Sequence, residues 1–329
     1  MTTEITRVKW TALVLVVLSA MLAACGAQDA APSRQGGGDG VPLILSTTSI
    51  WGDVTAALAC EGGVHVEVLV PEGADPHAYE PSLSDRARMD SADLLVINGL
   101  DLEEGLADSV DATAEGGVAV FAAGDHVAVR GYATTESHEE AEEGHSDEHE
   151  HGHGDFDPHI WLDPLSVGQV LDDLADAMVA VGAPAEATAR CADAFGETLD
   201  ALHLEIVDRL QPVPATNREL VTSHDALGYF AARYDMEVVG TVLPSPSGLA
   251  EPSAGHLGEV LALVEERQVR AIFVDSGRAA DSSEALAAQL DGTSVVEISV
   301  EVMPEGAPGQ RYVALMRELV STVAQGLTG

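Results

Sequence analysis

The sequence predicts an α/β protein of two lobes. Each lobe is a four-stranded, mainly parallel sheet flanked by helices, and one long rigid helix joins them. Three observations predict this. Short apolar runs alternate with amphipathic stretches, the pattern of βαβ units. The runs fall into two sets of four. Between the sets lies a stretch with helical periodicity and no strand character.

In chain order, the first set of strands is expected at 43–47, 64–70, 94–98 and 118–122. A helix is expected over 165–181 (LSVGQVLDDLADAMVAV), broken by Gly182-Ala183-Pro184. A second helix then runs from 184 to 210, with apolar residues at 191, 195, 199, 202, 206 and 210. Pro212 and Pro214 end it. The second set of strands is expected at 220–223, 237–242, 271–275 and 295–299. The first lobe is therefore placed at 41–183, the linking helix at 184–212 and the second lobe at 213–329.

The N-terminus reads as a targeting segment and stands outside the fold. Arg7 and Lys9 precede a short apolar run that closes on Leu22-Ala23-Ala24-Cys25, which resembles a bacterial lipobox. Residues 1–25 are expected to be a lipoprotein signal peptide ending in a lipidated Cys25, which would anchor the protein to the outer side of the cell membrane. Residues 26–40 (GAQDAAPSRQGGGDG) read as a flexible tether. Cys60 and Cys191 remain; export permits a disulfide between them, and their spacing does not decide it.

Of 329 residues, 55 are Asp or Glu and 15 are Lys or Arg, a formal net charge of -40. Such a field repels phosphate backbones, so nucleic acid is excluded as a partner, and it attracts cations. The charge concentrates at 134–155, expected to be a disordered His- and acid-rich loop because it has no apolar periodicity. His138, His145, His149, His151 and His153 offer shifting sets of imidazole ligands, hence weak auxiliary sites for Zn²⁺ or similar ions.

A tight site needs ligands on stiff elements. His77, His159, His224 and Asp275 each lie just past an apolar strand or at a turn into a helix. Loops beyond the carboxyl ends of parallel strands converge on the ligand crevice, so a cation between the lobes is expected. Asp163 and Asp225, close to His159 and His224 in sequence, are candidates to orient the imidazoles. His65, His126, His203 and His256 fit ordinary structural roles. No H-E-x-x-H motif appears, and four protein ligands would close the shell, so no enzymatic activity is expected.

The stretches PEGADPHAYEPS (71–82), SADLLVINGLDLEEGL (91–106), DPHIWLDP (157–164), VTSHDALGYFAARY (221–234), SPSGLAEPSA (245–254) and AIFVDS (271–276) carry a resemblance. In order and spacing they resemble the metal-binding subgroup of ABC-transporter substrate-binding proteins, specifically the zinc-binding lipoproteins. The resemblance covers nearly the whole mature chain. It implies two Rossmann-like lobes joined by a rigid helix, with His77, His159, His224 and Asp275 holding Zn(II). In the manganese branch a glutamate stands where His224 does, and an imidazole there favours zinc. The implied function is extracytoplasmic capture of Zn(II) by a monomer and delivery to an ABC transporter permease, with a zinc metallochaperone as a further candidate partner. The alternatives are Mn(II) or Fe(II) on the same fold, or a surface adhesin with a structural zinc.

Overall fold

Period-two alternation along the central strands determines what each sheet packs against. The computed structural model describes residues 40–133, 156–245, 250–275 and 292–328, with positions 284, 286, 288 and 289. The expected signal peptide with Cys25, the expected tether as far as residue 39, and the five histidines of 134–155 lie outside the described residues. The first lobe runs β1 (Leu43–Ser46), α1 (Ser49–Leu58), β2 (His65–Val68), α2 (Leu83–Ser91), β3 (Leu94–Ile97), α3 (Ala107–Glu115) and β4 (Ala119–Ala122). Its strands are parallel in the order β2-β1-β3-β4. Ile44, Leu94 and Val96 face the main core, while Leu45 and Leu95 face a smaller one with Met89 and Leu106. With both faces covered, the strands read as apolar runs, as parallel strands do.

Next come α4 (Pro164–Ala180) and α5 (Ala185–Leu210). The second lobe contains β5 (Glu219–Thr222), α6 (Gly228–Arg233), β6 (Glu237–Thr241), α7 (Ala254–Arg267), β7 (Ala271–Asp275), β8 (Ser294–Ile298) and α8 (Arg311–Thr328). Its parallel order, β6-β5-β7-β8, repeats that of the first lobe. Leu220, Ala271 and Phe273 turn to the main core; Val221, Ile272 and Val274 turn to an outer one. In each sheet the connections diverge between the first and third strands, the switch point where such folds bind ligands.

The 26 residues of α5 reach about 39 Å at 1.5 Å per residue. Cys191, Phe195, Leu199, Leu202, Ile206 and Leu210 form its buried stripe. A disulfide between Cys60, just past α1, and Cys191 fixes α5 to the first lobe. Among the described residues no helix is long and apolar enough to cross a membrane.

The main core is continuous across both lobes. Trp161 donates its indole N–H to the carbonyl of Val300 at 2.8 Å, and the Tyr312 hydroxyl donates to the Trp161 carbonyl at 2.7 Å. Both side chains are buried. Asp53 of α1 caps α8 from the opposite lobe, accepting from the Gly309 and Tyr312 amides at 2.8 and 2.9 Å. Burial pushes the Asp53 carboxyl above its ordinary pKa, against the pull of these amides.

The four histidines assigned ordinary roles have them. His65 is exposed at the start of β2. His126 stacks on Phe121 and pairs with Asp173. His203 stacks on Tyr234, and His256 bonds the Thr241 carbonyl.

Candidate metal centre

Two Asp-Pro-His triplets build half of the site by one local device. In Asp75-Pro76-His77 and Asp157-Pro158-His159 the aspartate Oδ1 accepts from the backbone N–H of the histidine two residues on, each at 2.9 Å. This is an Asx turn, which fixes the histidine backbone locally; His159 then leads into the 3-10 turn Ile160–Leu162. The first triplet follows β2. The second precedes α4 and is tied to the first lobe by Asn98, whose side-chain amide donates to the Pro158 carbonyl at 2.9 Å. Asn98 is itself held by the Trp51 indole at 2.8 Å. Buried Glu103 gathers the turn after β3, accepting from the Thr47 hydroxyl and the Asn98 and Gly99 amides. Burial raises the Glu103 pKa; those donors work in the opposite direction.

His224 comes from the second lobe, two residues past β5, where the Thr222 hydroxyl donates to its carbonyl at 2.7 Å. The three rings meet in the cleft. Their centroids lie 5.4 Å (His77–His159), 5.3 Å (His159–His224) and 6.4 Å (His77–His224) apart. All three histidines are buried. A carboxylate joins them from the loop after β8: Glu301 Oε1 is 3.8 Å from His77 Nε2. One ligand atom from each of His77, His159, His224 and Glu301 lies within 4.8 Å of every other.

Asp275 is not a member of that set. It ends β7, buried, and its Oδ1 accepts from the Val300 amide at 3.2 Å while its own amide donates to Ser223 Oγ at 3.0 Å. It therefore holds the backbone next to Glu301. Asp163 also differs from expectation. It caps α4 through Leu165 N and Ser166 Oγ and pairs with Arg233 at 2.7 Å. The carboxylate on His159 is Asp157, 2.8 Å from Nδ1. Asp225 is buried beside His224. The signal for Glu301 was its position just past a strand end, shared with the three histidines it meets; a lone glutamate among 55 acidic residues gave that position no emphasis.

Chemically, Asp157 sets the tautomer of His159. With Nδ1–H donated to the carboxylate, Nε2 carries the lone pair toward the cleft. The field of Asp157 also reaches Tyr229, whose phenol is pushed up to about 12, chiefly by burial and then by Asp157. Tetrahedral zinc with bonds of about 2.0–2.1 Å sets its ligand atoms about 3.4 Å apart. The pair at 3.8 Å is near that spacing, and the widest pair, at no more than 4.8 Å, closes by side-chain movement of about an ångström. Three imidazoles and one carboxylate suit a borderline-soft divalent ion.

The profile of the zinc-uptake complex component A family, ZnuA, described as periplasmic, matches residues 44–326. The chain belongs to that family. It is 32% identical over 326 residues, 96% of each chain, to the zinc-binding protein TroA of Treponema pallidum. It is 29% identical over 321 residues to the manganese-binding lipoprotein MntA of Halalkalibacterium halodurans, covering 96% of this chain and 97% of that one. The solved structure of the Treponema pallidum periplasmic zinc-binding protein TroA superposes with a TM-score of 0.74 at 27% identity, over 88% of this chain and all of that one. As a ZnuA-family member the chain is an extracytoplasmic, metal-binding solute-binding component of ABC-type uptake, and the family is not one of enzymes.

Proposed function

We propose that this protein captures Zn(II) outside the cytoplasmic membrane and hands it to its ABC permease for uptake. His77, His159, His224 and Glu301 are the ligands. The carrying observation is the convergence of three buried imidazoles and one carboxylate from both lobes within 4.8 Å. Neutral imidazoles with a single carboxylate leave a bound divalent ion near +1, and three buried imidazoles with one carboxylate suit four-coordinate zinc better than oxygen-seeking, higher-coordinate ions. Manganese is the second reading, favoured by the likeness to MntA. Competition of Zn(II) against Mn(II) on metal-free protein, read by metal analysis, separates them: one tightly held zinc that excess manganese does not displace is expected, and preferential retention of manganese would reverse the assignment.

Two further parts of this reading rest on sequence. A lipid on Cys25 holds the protein at the membrane, and the histidines of 134–155 supply weak auxiliary sites that raise the local zinc concentration. Deleting 136–154 is expected to leave one tight zinc and remove weaker ones; loss of the tight ion would contradict the ligand set.

A further inference from the structure

We infer that Glu72 and Arg311 form a latch across the cleft that holds the His77 and Glu301 loops together and governs how fast the ion leaves. The inference rests on the proposed ligand set. Glu72 lies in the turn between β2 and His77. Its Oε1 accepts from the Met303 amide at 3.1 Å, and its Oε2 from Arg311 at 2.8 Å. Met303 is two residues past Glu301. Arg311, at the start of α8, also donates to the carbonyls of Pro304 at 2.8 Å and Met303 at 3.3 Å. One carboxylate and one guanidinium therefore bind the 301–304 loop of the second lobe to the 71–77 loop of the first. These are the loops whose ligands, His77 and Glu301, stand 3.8 Å apart.

Glu72 lies between Pro71 and Gly73, which line a pocket that reaches Glu301. Val70, Ala74, Pro76 and Trp161 also frame it. Among the proposed ligands Glu301 is the most exposed, its side chain 10% accessible against 3% for His77. An ion leaving by this route parts from His77 and Glu301 as their loops separate, and that separation breaks the Glu72 bonds. Losing the latch therefore lowers the barrier to release more than it alters capture. Glu72 and Arg311 touch no metal-binding atom, so they are positioning residues.

The test is zinc release from the full chain into excess chelator, followed as a first-order rate. Glu72→Ala and Arg311→Gln are each expected to release roughly tenfold faster, about 1.4 kcal/mol of coupling. The double variant should release more slowly than the product of the two single effects predicts, because the Glu72–Arg311 bond is shared between them. The charge-reversed pair Glu72→Arg with Arg311→Glu should recover only the part due to the direct ion pair, because an arginine at 72 cannot accept from the Met303 amide and a glutamate at 311 cannot donate to the Pro304 and Met303 carbonyls. Glu67→Gln, which breaks the Glu67–Arg88 pair away from the cleft, should release like the wild type. A wild-type chain that holds one zinc while Glu72→Ala releases it within twofold of the same rate overturns the latch alone. A wild-type chain that holds none overturns the ligand set and the latch together.

Discussion

Asp157 and Asp163 are six residues apart, both buried, and do different work. Asp157 bonds the His159 imidazole, whereas Asp163 caps α4 and neutralises Arg233. Asp157→Ala is expected to weaken zinc binding by about 10- to 100-fold, the usual cost of losing the partner of a metal-bound imidazole. Asp163→Ala is expected to leave zinc affinity within a few-fold and to cost about 3 kcal/mol of stability, since it strands Arg233 at a half-buried position; calorimetric zinc titration and chemical denaturation read the two effects separately. Equal loss of affinity in both variants would contradict the division. Glu301→Ala should weaken zinc more than Asp275→Ala, because the first removes a ligand and the second only the anchor of Val300. Sequence proximity suggested Asp163 as the orienter because nothing in a linear reading ranks one nearby carboxylate over another. The Asp-Pro-His triplet repeats in the sequence, and its role follows only from the Asx turns it forms.

At the scale of elements, helix α2 shows how local chemistry holds a site-bearing segment. Ser82 and Asp85 form a capping box between the His77 loop and the helix. The Asp85 carboxyl is held below its ordinary value of 3.8, first by the Ser82 hydroxyl. A depressed carboxylate stabilises the fold fully above its unfolded pKa, and that contribution fades as pH falls through the depressed one. Ser82→Ala should therefore move the Asp85 titration upward, read by carbon-13 NMR, and cost about 1 kcal/mol at neutral pH. An unmoved titration would contradict the box. Helix α6 begins against the site: a Cβ at Gly228 would collide with Asp157 Oδ2. The strands were legible because doubly covered parallel strands are apolar runs bounded by turns; β7 spans 271–275 in both readings. The disulfide was not legible, because 131 residues separate its halves and only folding sets them side by side. Replacing both cysteines by serine should cost about 2–4 kcal/mol in denaturation without changing zinc stoichiometry.

Across the whole molecule, the two lobes share one core and one set of ties, so the cleft is preset rather than assembled by the ion. Asp53 reaches an amide 256 residues away to cap α8. Trp161 and Tyr312 join the lobes by side-chain donation to the backbone carbonyls of Val300 and Trp161. Contacts of this range leave no trace in local periodicity, which is why the fold class was readable and the clamp between lobes was not. The same distance hid Glu301: it meets His77 only once the second lobe places the loop after β8 opposite it. Zinc capture needs neutral imidazoles, so affinity should fall as the pH drops below about 6.5, while the acidic surface continues to attract cations.

The most direct measurement is a crystal of the zinc-loaded protein with anomalous scattering collected at the zinc edge. One strong peak is expected in the cleft, within bonding distance of nitrogen atoms from His77, His159 and His224 and of the Glu301 carboxylate, with Asp275 behind it. A cleft without a peak, or a peak bound by Asp275 with Glu301 turned away, would contradict the account.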